Sequence, residues 1–130
     1  MKVAVAQISS SDQPAENLAL VLALMRQSVD QDILFLPEVT NCLSLDPAHQ
    51  ALVLEHFDNN GFIDAVCKEA GSLNLWVALG SIALKTNDAD GRHVNRSILI
   101  DANGSLVAQY DKIHMFDVTV SEVERYHESK

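Results

Sequence analysis

Basic residues are scarce in this 130-residue chain: nine Lys and Arg stand against eighteen Asp and Glu, for a formal net charge of −9. They are scattered and form no run, which argues against a nucleic acid or an anionic membrane held on a basic face. No apolar run approaches the ~20 residues that cross a bilayer. The opening Met1 to Ile8 carries one Lys and breaks at Gln7, so it lacks a secretory h-region and a cytoplasmic setting is expected. There are only two cysteines, Cys42 and Cys67, with no metal-ligand spacing, and free thiols follow. Asn95-Arg96-Ser97 and Asn103-Gly104-Ser105 match the glycosylation sequon, without consequence in that setting. Aromatics are few at 5%, yet the apolar fraction of 48% excludes a disordered chain. The length is that of one domain, small for a sheet covered on both faces.

What is present centres on Asp32 to Asn41, D-I-L-F-L-P-E-V-T-N. Ile33 to Leu36 are apolar at every position, as in a strand covered above and below. Pro37 has no N–H to donate and ends the ladder, so Glu38 falls just past the carboxyl end of a buried strand. In sheets flanked by helices, that edge gathers binding and catalytic groups. The plainer alternative is a solvated loop charge.

In chain order, Val3 to Ile8 reads as a strand. Ser9 to Asp12 offer N-caps to a helix with Pro14 in its first turn and a stripe of Leu18, Val21, Leu22, Met25 and Val29. Asp46-Pro47 opens a second helix running to about Phe57, and Phe62 to Ala70 form a third ending at Gly71. Leu75 to Leu84 is expected as a central strand. Lys85 to His93 is a polar loop, and Asn95 to Ile100 with Ser105 to Tyr110 flank D-A-N-G as a hairpin. Asp117 to Lys130 has no steady period. The order β-α-β-α-α-β-β-β is α/β with an antiparallel hairpin, not a plain doubly wound sheet.

Tyr110 to Asp117, Y-D-K-I-H-M-F-D, places Lys112 directly after a strand, in a setting that matches Glu38. Two opposite charges at strand ends of one sheet can face each other across a cleft, although a lone lysine is by default a surface group. The Pro37-Glu38 signature, the Tyr110 to His114 segment and Arg125-Tyr126-His127-Glu128-Ser129 together resemble the nitrilase superfamily of carbon–nitrogen hydrolases. Lys-Ile-His-Met-Phe-Asp is most similar to its Nit branch, which includes deaminated-glutathione amidase and omega-amidase.

That resemblance implies half of an α-β-β-α sandwich and a Glu–Lys–Cys triad acting through a thioester, with no metal or organic cofactor. Glu38 then matches the general base, Lys112 the holder of the oxyanion, and Glu128 a second glutamate that positions the substrate or the triad. The chemistry is coherent in itself. A thiol is only a few per cent ionised at neutral pH, so a nearby carboxylate can take its proton, and a fixed ammonium stabilises the tetrahedral oxyanion. The resemblance also implies a small carboxylated amide as substrate and dimers formed through helical faces.

The family's nucleophile follows the lysine by several dozen residues, whereas Lys130 comes 18 residues after Lys112. Residues 1–130 are therefore expected to be a partial domain, inactive alone, with an apolar surface that promotes self-association. Neither cysteine present fills the nucleophile's role: Cys42, four residues past Glu38, is read first as a buried structural thiol, with a nucleophile beside its base as the alternative, and Cys67 lies in a helix beside Lys68 and Glu69. His49 and His56 share a helical face without zinc-binding spacing, His93 is in a loop, His114 shapes the lysine motif, and His127 adjoins Glu128. The rival function is a non-catalytic module that pairs with a complementary half or a full-length relative.

Overall fold

β-Branched and large apolar residues dominate Val3–Val5 (β1), Ile33–Leu36 (β2), Trp76–Lys85 (β3) and His93–Ile100 (β4), and with Leu106–Asp111 (β5) they form a five-stranded sheet in the order β1-β2-β3-β4-β5. The structure is a computed structural model and describes residues 1–87, 93–114, 117–119 and 125–127, the last two segments by backbone alone. β1, β2 and β3 run parallel, while β4 is antiparallel to both β3 and β5. β5 therefore points the same way as β2, and the carboxyl ends of both lie at one edge of the sheet.

The helices Pro14–Gln27 (α1) and Gly61–Leu73 (α3) make the two parallel crossovers and pack together on one face. Val21 and Met25 of α1 and Phe62, Val66 and Ala70 of α3 close the core against Leu34, Leu36, Val77, Leu79, Ile98 and Ile100. This is α/β architecture, as the element order predicts.

Local chemistry moves several boundaries. β1 spans three residues rather than six. α1 starts after Gln13, with no side-chain cap from Ser9 to Asp12, and ends before Val29, which is exposed. Asp46 caps Pro47–Val53 (α2) through the Ala48 N–H, as expected, but α2 stops at Val53, and Phe57–Asn59 form a 3-10 turn. α3 passes through Gly71 and ends at Asn74, whose φ of 52° supplies the left-handed stop. Gly71 stays in the helix because the 101–104 turn packs against it: an added Cβ would sit 2.9 Å from the Asn103 carbonyl oxygen. His93 lies in β4, not in a loop. Asp117–Thr119 (β6) and Arg125–His127 (β7) pair antiparallel in a segment with no legible period.

The strand Leu75 to Leu84 carries a bulge. The β3–β4 register runs Leu79↔Ile98 and then Ile82↔Arg96, three steps on β3 against two on β4. Val77 and Leu79 face the helices before it; Ile82 and Leu84 do so after it. An apolar run without alternation here comes from a shift of phase, not only from cover on both faces. The second face is open over β1 to β3: Val5 is 77% exposed, Phe35 42% and Trp76 38%.

Candidate active site

Glu38 starts three strands away from Lys112. At about 4.8 Å per strand the ends of β2 and β5 are roughly 14 Å apart, too far for a direct ion pair. The segment after Pro37 closes that gap by folding across β3. Ser81, at the bulge, accepts from the Val39 N–H with its hydroxyl (2.9 Å) and from the Thr40 N–H with its carbonyl (2.9 Å). Thr40 Oγ1 donates back to the Pro37 carbonyl at 2.6 Å. Asn41 donates to the Ala83 carbonyl and accepts from the Ala83 N–H, both at 2.8 Å, in place of a further strand. Asn17 fastens the same turn from α1 through the Asn41 carbonyl, at 2.9 Å.

The turn is strained where it matters. Val39 has φ of 52°, a conformation that costs a β-branched residue on the order of 1–3 kcal/mol and persists only where neighbours enforce it. Gly80 gives the turn room, since an added Cβ would lie 2.7 Å from the Pro37 carbonyl. The result carries Glu38 off its own strand and over β4.

From the other side, β5 delivers Lys112. Its backbone N–H donates to the Asn95 carbonyl at 2.9 Å, and its ammonium reaches Glu38 Oε1 at 2.8 Å. Asn95 Nδ2 donates to the same oxygen at 3.0 Å. Glu38 is 56% exposed in its side chain, so the pair opens to solvent. Next to it Arg96 grips Asp111 through Nε (2.5 Å) and a second nitrogen (2.9 Å) and lies over the Phe57 ring at 4.6 Å. That bidentate bond holds the Asp111 carboxyl below its usual range and raises the guanidinium further. It fixes the backbone one residue before Lys112.

The other sequence candidates separate from this pair. Glu128 lies outside the described residues, and of His127 only the backbone is described. Cys42 is fully buried with Leu54 and Ala83, its Sγ 3.4 Å from the Asp12 carbonyl. Burial, and then the Asp12 charge, push its thiol up, away from the thiolate a nucleophile needs. Burial does the same to Cys67, with Asp64 and Asp101 adding to it. His49 and His56 do not share a helix: His49, in α2, bonds the Asp12 carbonyl at 2.8 Å, and His56 lies beyond α2, bridged to Lys85. Burial and Lys85 lower the His93 pKa. His114 is exposed. No cluster of metal-ligating side chains occurs among the described residues, and none of the described helices is long and apolar enough to cross a membrane.

Sequence reasoning passed over Asn95, which it treated as a sequon, and over Ser81 and Asn41. What marks Asn95 is its place in the fold and not in the sequence: a polar residue in β4, opposite Ala83 in register and beside the strand that ends one residue before Lys112.

The sequence profile of the family described as carbon-nitrogen hydrolase matches residues 2–130. The chain is 33% identical over 124 residues to a nitrilase and fragile histidine triad fusion protein, NitFhit, from Drosophila melanogaster, covering 93% of this chain and 26% of that one. It is 30% identical over 131 residues to a deaminated glutathione amidase from Yersinia enterocolitica, covering 98% and 45%. Its fold superposes on the crystal structure of the C. elegans NitFhit protein with a TM-score of 0.82 at 23% identity, over 98% of this chain and 31% of that one. An amidase from Nesterenkonia sp. gives 0.72 at 16% identity, covering 89% and 44%. The chain thus spans between about a quarter and a half of the length of these relatives, and with the profile matched over residues 2–130 it belongs to the carbon–nitrogen hydrolase family.

Proposed function

We propose that residues 1–130 are the amino-terminal part of an amide hydrolase of the Nit type, in which Glu38 is the general base and Lys112 stabilises the oxyanion. The observation that carries this reading is the 2.8 Å bond between Lys112 Nζ and Glu38 Oε1 at the shared carboxyl edge of β2 and β5. A carboxylate and an ammonium so placed can divide the work of acyl transfer. The carboxylate takes the proton of a thiol and later that of the hydrolytic water; the ammonium meets the negative charge that develops on the amide oxygen. The thiol in this reading comes from outside residues 1–130, since Cys42 is fully buried and burial and nearby carboxylates push both the Cys42 and the Cys67 thiol up, away from the thiolate the step needs. Glu128 keeps the role of positioning the substrate or the triad. The substrate class is a small carboxylated amide, in line with relatives named deaminated glutathione amidase.

The test is a chimera in which residues 1–130 replace the matching segment of the Yersinia enterocolitica amidase. Glu38→Gln and Lys112→Met are each expected to lower kcat for a short carboxylated amide by about 10²–10⁴-fold. Variants that turn over as fast as the parent chimera would remove both residues from the chemistry. The 130-residue chain alone is expected to hydrolyse nothing.

One observation favours a second reading, a module that assembles with a complementary half or a full-length relative: the apolar strip of Val5, Phe35 and Trp76 on the open sheet face. A stable, inactive complex with such a partner, formed by a chain whose native mass matches 130 residues, would support it.

A further inference from the structure

Both donors at the charged pair converge on one atom. Glu38 Oε1 receives the Lys112 ammonium at 2.8 Å and the Asn95 carboxamide at 3.0 Å, whereas Oε2 takes no hydrogen bond among the described residues. Asn95 is 5% exposed and touches both halves of the pair, with its side chain on the Glu38 carboxylate and its carbonyl on the Lys112 N–H. A carboxylate oxygen that already accepts two donors, one of them cationic, is the poorer proton acceptor, and the other oxygen is the better one.

We infer that Asn95 is a positioning residue that fixes which oxygen of Glu38 acts as the base: it holds Oε1 together with Lys112 and leaves Oε2 to receive the thiol proton. In that step the S–H bond breaks with its electron pair left on sulfur, and an O–H bond forms at Oε2, giving a thiolate and a neutral carboxyl. The inference rests on the role proposed above for Glu38. Asparagine suits the place physically. It offers an N–H donor in a buried strand without adding a charge, and its length lets the side chain reach Glu38 while the backbone keeps its bond to Lys112. An Asp there would keep the shape but remove the donor and set a second negative charge against the base.

The inference is tested in the 130-residue chain by nuclear magnetic resonance, with Asn and Glu side chains labelled, through a pH titration. One Asn95 Nδ2 proton is expected to shift with the same midpoint as the Glu38 carboxyl carbon, and Glu38→Gln to abolish that shift while the β4 amides stay in place. Glu38 is exposed, so that substitution leaves the core intact. Carboxamide protons that stay flat through the Glu38 midpoint would overturn the inference. In the chimera, Asn95→Asp is expected to lower kcat about a hundredfold with KM unchanged, the scale of a misplaced reacting group; unchanged kcat would also overturn it. Because the titration needs no turnover, failure of the amidase reading and failure of the Asn95 contact show up separately.

Discussion

The Asn41 carboxamide holds both the N–H and the C=O of Ala83 at 2.8 Å, so a single side chain extends the ladder of β3 where no strand is available. All four partner atoms are out of solvent, and loss of the side chain strands two backbone groups. Asn41→Ala is expected to cost about 2–3 kcal/mol in urea unfolding. Asn41→Asp restores the acceptor but not the donor and is expected to fall in the same range. A loss below about 0.5 kcal/mol for both would mean that the turn is held without the Asn41 side chain, by Ser81, Thr40 and Asn17.

Two glycines make opposite predictions. Gly104 has φ of 79°, and a Cβ there would collide with the Cys67 carbonyl oxygen on α3. Gly104→Ala is expected to destabilise by about 1–3 kcal/mol. Gly61 begins α3, and a Cβ there meets only Glu55 Oε2 at 3.6 Å. Gly61→Ala is expected to be neutral or to stabilise by about 0.5 kcal/mol, through the lower entropy of the unfolded chain. Parallel denaturation curves of the two variants check this, and a reversed order contradicts it.

The Arg96–Asp111 pair gives a pH dependence of known sign. The Asp111 carboxyl is held below its ordinary 3.8 by Arg96, so the folded state binds its proton less readily than the unfolded state. The stabilisation is complete above the ordinary value and is lost as pH falls through the lowered one. Both groups are partly solvated, which limits the pair to about 1 kcal/mol. Asp111→Asn should therefore lower the urea midpoint at about pH 6 and lose that difference as pH falls below the ordinary value. A difference that persists unchanged at the lowest pH would assign the effect to packing.

The open sheet face predicts behaviour in solution. Val5, Phe35 and Trp76 lie on neighbouring strands, and Phe35 and Trp76 each remain more than a third exposed. The isolated chain is expected to bind a hydrophobic dye and to self-associate with rising concentration. Phe35→Lys should weaken both without lowering the unfolding midpoint, because Phe35 contributes little to the core. A monomeric chain without dye binding would show that this face is not the source of association.

How far the sequence disclosed this depends on what each residue signals locally. Pro37 marked the end of β2 and Asp46-Pro47 the start of α2, because proline and a capping carboxylate act on their own backbone. The reach of Lys112 to Glu38 was legible only as two charges at strand ends, since the direction of β5 follows from the hairpin and not from either residue. Asn95, Ser81 and Asn41 were not legible. Each bonds to groups distant in sequence, so nothing in the neighbouring residues distinguishes it from an ordinary polar side chain. Gly71 misled for the same reason: its partner, the turn at Asn103, lies 32 residues away.

The extra residue at Gly80-Ser81 works as a half-turn in a gear train. Were β3 to pair with β4 without interruption while keeping that residue, each later side chain on β3 would change faces: Ile82 and Leu84 would leave the helices and Ala83 would enter. The Ser81 hydroxyl would no longer meet Val39, and Glu38 would lose its path over the sheet. The distance between the two charges is thus set by the parity of a strand that contributes neither of them.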